Sequence, residues 1–343
     1  MVRSRFSLTI AVFAVGLATL AVGCGGSSSS SSSPATGEES SSTSESGGGE
    51  LGKVAIVLTN PENSTFGQTA VNAAKQIESE LGNEVTVQGG LTPANEQQTF
   101  EGYAERGTSL LIMDGAELQQ AAEQVAPKYP ETDFVVVNGN AEGAPNLSSA
   151  TYSWEEVGFL AGVVAGTATN SNHVGQMSCL EIPPIEGVWW GFKQGVEAVN
   201  PKATAINSYT GSVTDTGKAA SGTSVQASQG VDTVFTVVTG GDPGVFSAAR
   251  DKNVKVIGYA IDEAPLGESV ILTSALVDYE GTMVEMAKKF NEGTLKPTVY
   301  QYGLKDNAFS LAPVTNVPAS TAKEIEKVGN EVIEGKFKIK PFK

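Results

Sequence analysis

Histidine is almost missing from this chain: His173 is the only one. A Ser-His-Asp triad or a His-centred general base would have to use it. It stands in the stretch Asn170 to Gly175, a polar turn running into a strand, which is the setting of an exposed loop histidine. Cysteine is nearly as scarce. Cys24 and Cys179 are the only two, too few for a disulfide framework or a Cys-based zinc cluster. No spacing of His, Cys, Asp or Glu reads as a metal set, and no cofactor motif is present, so neither metal nor cofactor is expected. Basic residues are few as well: 22 Lys and Arg stand against 38 Asp and Glu, a net charge of −16. That balance argues against a nucleic-acid partner, because a phosphate backbone needs a basic footprint. Aromatic residues make up only 7% of the chain, so its core leans on Val, Ile, Leu and Ala.

The longest apolar run is at the N-terminus. Arg3 and Arg5 precede the stretch Leu8 to Val22, which is too short and wrongly flanked for a membrane span and reads as a signal peptide over residues 1–23. Ala21-Val22-Gly23-Cys24 resembles a bacterial lipobox, with small residues at Ala21 and Gly23 and Ala21 where Leu is preferred. Cys24 is therefore the expected lipidation site and new N-terminus. Residues 24–51 are then a tether, because a run of mostly Ser and Gly buries no core. An extracytoplasmic protein held on the bacterial cell membrane by lipid is the expected arrangement.

The remainder reads as alternating strands and helices. Lys53–Thr59 is a β-branched run, hence a buried strand; Val71, Ala74, Ile77 and Leu81 follow at helical spacing. Strands are expected at Val85–Val87, Thr108–Met113 and Phe134–Val137, with a helix through Leu118, Ala121, Ala122 and Val125. The pattern then restarts. A small-residue helix at Trp154–Thr169 leads to strands at His173–Ser178, Thr204–Tyr209, Thr233–Val238 and Lys255–Tyr259, and Val188, Phe192, Val196 and Val199 form a helical stripe between the first two. Such alternation means α/β architecture with doubly wound parallel sheets. Two successive sets suggest two lobes: 52–150 as the first, completed by part of 263–335, and 151–262 as the second. Residues 263–343 would carry a crossover, returning segments and a C-terminal helix.

Ligands in such folds bind beyond the carboxyl ends of the strands. The residues expected there are Asn60, Asn63, Asp114, Asn138, Cys179, the Gly240-Gly241-Asp242 turn, and Asp262 with Glu263. Amides, carboxylates and glycine turns suit hydrogen bonding to a polar, sugar-like or nucleoside-like solute, although each alone is a common turn or cap residue.

Several stretches in order resemble the basic membrane protein family of substrate-binding lipoproteins, which includes bacterial purine-nucleoside binders. They are Asn63-Ser-Thr-Phe-Gly-Gln68, Ala126-Pro-Lys-Tyr-Pro130 with Phe134 and Asn138, Gly158-Phe-Leu-Ala-Gly162, Gly191-Phe192 with Gly195, Thr239-Gly-Gly-Asp-Pro-Gly-Val-Phe246, Val256-Ile-Gly258 and Leu272-Thr-Ser274. The resemblance implies a type I periplasmic-binding fold, two lobes joined by three crossovers, and a ligand in the hinge cleft. It implies that Phe66 stacks on a flat ring, that Asn60 and Asn138 stand where ligand-binding aspartates are usual, and that Asp262 matches the second Asp of a Gly-Val-Asp-x-Asp-Gln stretch. The departures are Ala260 for the first Asp of that stretch, Gly67 for an Asn, and Val277 for a Lys. Trp189 and Trp190 are bulkier than the family suggests, and Trp189 is a further candidate for the cleft.

The leading expectation is a solute receptor for an ABC importer, with permease and ATPase subunits as partners and no chemistry of its own. An anchored sensor presenting its ligand to a signalling partner is the alternative. An anchored hydrolase using Asp114 and Asp262 as a carboxylate pair is a third reading, without a paired motif to support it.

Overall fold

The computed structural model describes residues 51–343 apart from Glu142. The signal peptide, Cys24 and the tether expected from the sequence lie outside the described residues, except for Leu51.

Two six-stranded sheets organise the chain. The first contains β1 (Lys53–Leu58), β2 (Val85–Gln88), β3 (Thr108–Asp114), β4 (Asp133–Val137), β5 (Leu147–Tyr152) and β11 (Val299–Tyr302), in the order β11-β5-β4-β3-β1-β2. The second contains β6 (His173–Ser178), β7 (Thr204–Tyr209), β8 (Thr233–Val237), β9 (Lys255–Ala260), β10 (Ile271–Val277) and β12 (Phe309–Leu311), in the order β12-β10-β9-β8-β6-β7. All pairings are parallel except that of β10 with β12. This is the α/β, doubly wound fold of type I periplasmic-binding proteins, two parallel-sheet lobes joined by crossover segments.

The central strands are apolar almost throughout because both of their faces are covered. Five of the six residues of β1 are buried, as are all five of β8. On the first sheet, alternate residues split between two cores. Val54, Ile56, Leu58, Leu110 and Ile112 face α1 (Gly67–Gln76) and α9 (Tyr279–Asn291). Ala55, Val57, Leu111 and Met113 face α2 (Glu96–Glu105) and α3 (Gln119–Val125). The period-two alternation of a strand makes this division.

The chain passes between the sheets three times, from β5 through α4 (Trp154–Ala168) to β6, from β10 through α9 to β11, and from β11 to β12. Helix α4 is buried over eleven of its fifteen residues. A helix apolar all round must be covered all round, and its cover comes from the second sheet, α5 (Pro183–Val199) and α10 (Ala319–Ile333). Helices α6 (Thr216–Ser228), α7 (Asp242–Lys252) and the one-turn α8 (Ala264–Gly267) complete the second layer.

Candidate functional site

The carboxyl ends of the strands carry backbone strain as well as polar side chains. Asn138 follows β4 at φ 63°, Thr239 follows β8 at φ 54°, and Ala260 ends β9 at φ 68°. A left-handed conformation costs a non-glycine residue roughly 1–2 kcal/mol, most at a residue such as alanine that lacks a compensating polar side chain. Such strain concentrates at binding and catalytic sites.

An open cavity of about 520 Å³ lies at the last of these ends, with Ala260 in its wall. Thr65, Gln68, Thr69 and Asn72 line it from the start of α1; Ala260, Asp262, Leu276 and Val277 line it from the ends of β9 and β10. Its charged lining is acidic only: Asp262, Asp278 and Glu280. Phe66 sits beside this wall, half-buried, with its ring edge-on to Tyr279 at a centroid distance of 5.3 Å.

Asp114 ends β3 on the same sheet face as Leu110 and Ile112, paired across the sheet with Leu58 and Val137. It is 1% exposed, and neither carboxylate oxygen has a hydrogen-bond partner. Burial, and then the neighbouring Glu117 carboxylate, push its pKa up to about 7. Glu117 itself accepts a hydrogen bond from Thr59 Oγ1 at 2.6 Å. Tyr152 and Tyr279 both lie within electrostatic reach of Asp114.

The second lobe holds another buried pair of acids. Asp242 opens α7 and accepts from Thr236 Oγ1 at 2.5 Å. Glu263 Oε2 accepts from the Tyr259 N–H at 3.1 Å. Burial raises both pKa values, that of Glu263 well above the ordinary carboxylate range, and each carboxyl acts on the other.

The remaining sequence candidates are scattered around this site. Asn60 is half-buried, and its carbonyl accepts from the Gly90 N–H. Asn63 is exposed. Asp262 is exposed in the cavity wall and also accepts from the Ala264 N–H at 3.0 Å. Gly241 is buried in the turn that leads into α7. Trp189 stacks on Phe192, with Lys193 over its outer face. Trp190 donates its indole N–H to the Lys340 carbonyl, under the C-terminal segment. The two departures at Ala260 and Val277 both line the cavity. At Gly67 a Cβ would stand 2.1 Å from the Pro61 carbonyl, so this turn leaves no room for an asparagine.

Sequence reasoning passed over four aromatic residues. Phe66, Tyr279, Tyr152, Trp154, Tyr259, Phe235, Phe192 and Trp189 form an unbroken series, with neighbouring centroids 5.2–6.5 Å apart. It leads from the first sheet to the second. Tyr152, Trp154, Tyr259 and Tyr279 stand at a strand's last two residues or a helix's first. That position is the signal that could have found them.

Among the described residues no group of three or more His, Cys, Asp or Glu is placed to hold a metal ion, and no helix is long and apolar enough to cross a membrane.

A family described as "ABC transporter substrate-binding protein PnrA-like" (Bmp) matches residues 55–342. The chain is 26% identical over 258 residues to the ABC transporter nucleoside-binding protein BmpA of Lactococcus lactis, covering 70% of this chain and 73% of that one. It is 27% identical over 265 residues to the transcriptional activator protein med of Bacillus subtilis, covering 77% of this chain and 82% of that one. An ABC transporter solute-binding protein from Conexibacter woesei superposes with a TM-score of 0.70 at 24% identity, over 84% of this chain and 99% of that structure.

Proposed function

The chain belongs to the Bmp family of PnrA-like ABC transporter substrate-binding proteins, and from that membership we propose that it captures a nucleoside-like or other ring-containing polar solute in the cleft between its lobes and delivers it to an ABC permease. As a member of that family it is a binding protein and not an enzyme, and it works outside the cytoplasm. One observation carries the ligand site. The acidic cavity draws its lining from the start of α1, which packs on the first sheet, and from the ends of β9 and β10 in the second sheet, with Phe66 and Tyr279 beside it. Contacts to both lobes would favour a closed form over an open one. Phe66, Asp114, Asn138 and Asp262 are the proposed core of the site. Asn60, Asn63, Trp189 and Gly241 lie farther along the strand ends and the aromatic series.

Ordinary purine nucleosides are poor candidates, because Ala260 and Val277 offer the cavity neither an acid nor a base. Each lost charged hydrogen bond weakens binding by roughly 1.5–3 kcal/mol, so two cost a factor of order a hundred or more. The expected result is that mass spectrometry of the denatured, purified protein finds a ring-containing polar solute. Adenosine, guanosine and inosine should bind no tighter than micromolar by calorimetry. Submicromolar binding of any of the three would overturn the shift in specificity and leave the receptor reading intact. A protein that releases no such solute and binds none of the three would overturn the receptor reading.

A second reading keeps the same binding and changes the recipient. The Bacillus subtilis relative is named a transcriptional activator, which favours an anchored sensor presenting its ligand to a signalling partner. Neighbouring permease and ATPase genes support import; a neighbouring kinase gene supports sensing.

Anchoring is part of the proposal and rests on the Ala21–Cys24 box and the Ser-rich stretch behind it. Cys24→Ala is expected to move the protein from the membrane fraction to the soluble one. A wild-type protein already soluble on fractionation would sink it.

A further inference from the structure

A nucleoside-like solute can be neutral or charged, and the acids around this cavity discriminate between the two. Building on the receptor reading above, we infer that the ligand is a cation-bearing ring solute, whose positive charge is held by Asp114 while Phe66 and Tyr279 supply aromatic faces.

Three observations on the site converge. The first is Asp114 itself. A carboxylate that is 1% exposed and has no donor on either oxygen is costly to keep. Buried acids are ordinarily paired, and removing the partner of a buried charge destabilises strongly. The second is the lining of the neighbouring cavity, behind which Asp114 is buried: three carboxylates and not one lysine, arginine or histidine. Low-dielectric walls that carry one sign of charge concentrate the opposite ion. The third is the aromatic pair of Phe66 and Tyr279, of which Tyr279 lies within electrostatic reach of Asp114. Phe66 and Tyr279 meet edge to face at 64°, so their rings present differently oriented surfaces. A cation beside an aromatic face is attracted by the ring quadrupole, most strongly when desolvated.

The charged and titratable groups that face Asp114 are Glu117 from the turn after β3, Tyr152 from β5 and Tyr279 from α9. Among the described residues, the one charged group that shifts the titration of Asp114 is the Glu117 carboxylate. A bound cation would supply the missing partner, and it would select the ionised carboxyl. Affinity for a cation should therefore rise with pH, in step with the ionised fraction. With the carboxyl at about 7, that fraction rises about tenfold between pH 6 and pH 8. A neutral ligand has no reason to follow it.

Nicotinamide riboside provides a suitable probe, because its pyridinium ring carries a permanent positive charge and its dihydro form has the same ring and ribose without one. Calorimetric titration at pH 8 should show nicotinamide riboside binding at least tenfold tighter than the dihydro form. Its affinity should fall about tenfold at pH 6. Asp114→Asn should erase the pH dependence and cut the preference for charge. Equal or tighter binding of the dihydro form, or of adenosine, would overturn the cation inference and leave the receptor reading standing. A pH dependence or an undiminished preference that survives Asp114→Asn would overturn the assignment to Asp114. Failure of all three probes to bind would overturn the inference and the nucleoside-like reading together.

Discussion

Asp114→Asn is expected to raise the melting temperature of the ligand-free protein by several degrees at pH 8, an uncommon direction for a change at a fully buried polar residue. In the unfolded chain an aspartate titrates near 3.9. In the fold, Asp114 titrates at about 7. A group whose folded pKa is raised keeps its full stability below the unfolded value and loses it as pH climbs through the folded one. Above pH 7 the cost of holding the ionised carboxyl therefore approaches roughly 4 kcal/mol, from a shift of about three units at 1.36 kcal/mol each. A buried asparagine without partners returns about 1–3 kcal/mol of that gain, so the net stabilisation is about 1–3 kcal/mol. At about 2–4 °C per kcal/mol for a domain of this size, the shift is readily measured. It should shrink as pH is lowered from 7 toward 4, where both states bind the proton. Calorimetric unfolding of the variant and parent at pH 5 and pH 8 provides the check. A variant no more stable than the parent at pH 8 would mean that the carboxylate has a partner.

The opposite result is expected of Gly191→Ala. Helices α4 and α5 approach so closely that a Cβ on Gly191 would stand 1.8 Å from the Glu155 carbonyl, and one on Gly158 would stand 2.0 Å from the Val188 carbonyl. Both obstacles are backbone, so no side chain can swing aside. The helices must separate, and the aromatic stack of Phe192 on Phe235 beneath them must open with them. Overpacking a well-filled core costs typically 1–3 kcal/mol and more where the backbone has to move. A loss of about 3 kcal/mol, or about 10 °C in Tm, is expected. Gly217→Ala is the matching control. It lies near the start of α6, and the nearest atom to its Cβ is a side-chain oxygen of Asp215 at 3.4 Å. There alanine should be neutral or stabilise by about 0.5–1 kcal/mol. Equal melting temperatures for the two variants would refute the close approach.

The architecture was largely legible in the sequence because buried parallel strands write long β-branched runs. His173–Ser178 and Thr204–Tyr209 match their strands end to end. Strands β5, β11 and β12 were not read from such patterns. Leu147–Tyr152 carries two serines and a threonine, and Val299–Tyr302 lies at a sheet edge with a polar, partly exposed sequence. Helix α2 was missed because its apolar side is little more than Phe100 and Tyr103. For the site, the strand-end rule picked out Asp114 and Asp262 but not the residues that give Asp114 its character. An unpaired carboxylate is defined by what surrounds it. Tyr152, Tyr279 and Glu117 reach it from a distant strand, a distant helix and the turn that follows, and nothing local in the sequence marks that meeting. The strand-end rule also named Asp242 and Glu263, but their pairing was hidden for the same reason, since the two acids are brought together only by the ends of neighbouring strands.

The threefold passage between the sheets also dictates when each lobe can be finished. The face of β3 and β4 that carries Asp114 is covered by α9, whose residues are 279–291, and the edge of that sheet is closed by β11 at 299–302. The second sheet waits still longer, for β12 at 309–311 and for α10 to cover α4. The core against α2 and α3 is complete within residues 55–147, but the larger core that includes α9 and α10 cannot be sealed by the N-terminal three-quarters of the chain. Pairings so distant in sequence also fold slowly, because loop-closure entropy must be overcome before the contacts form. For a polypeptide that works on the far side of a membrane, this delay keeps the chain threadable. The larger core waits on segments that emerge last.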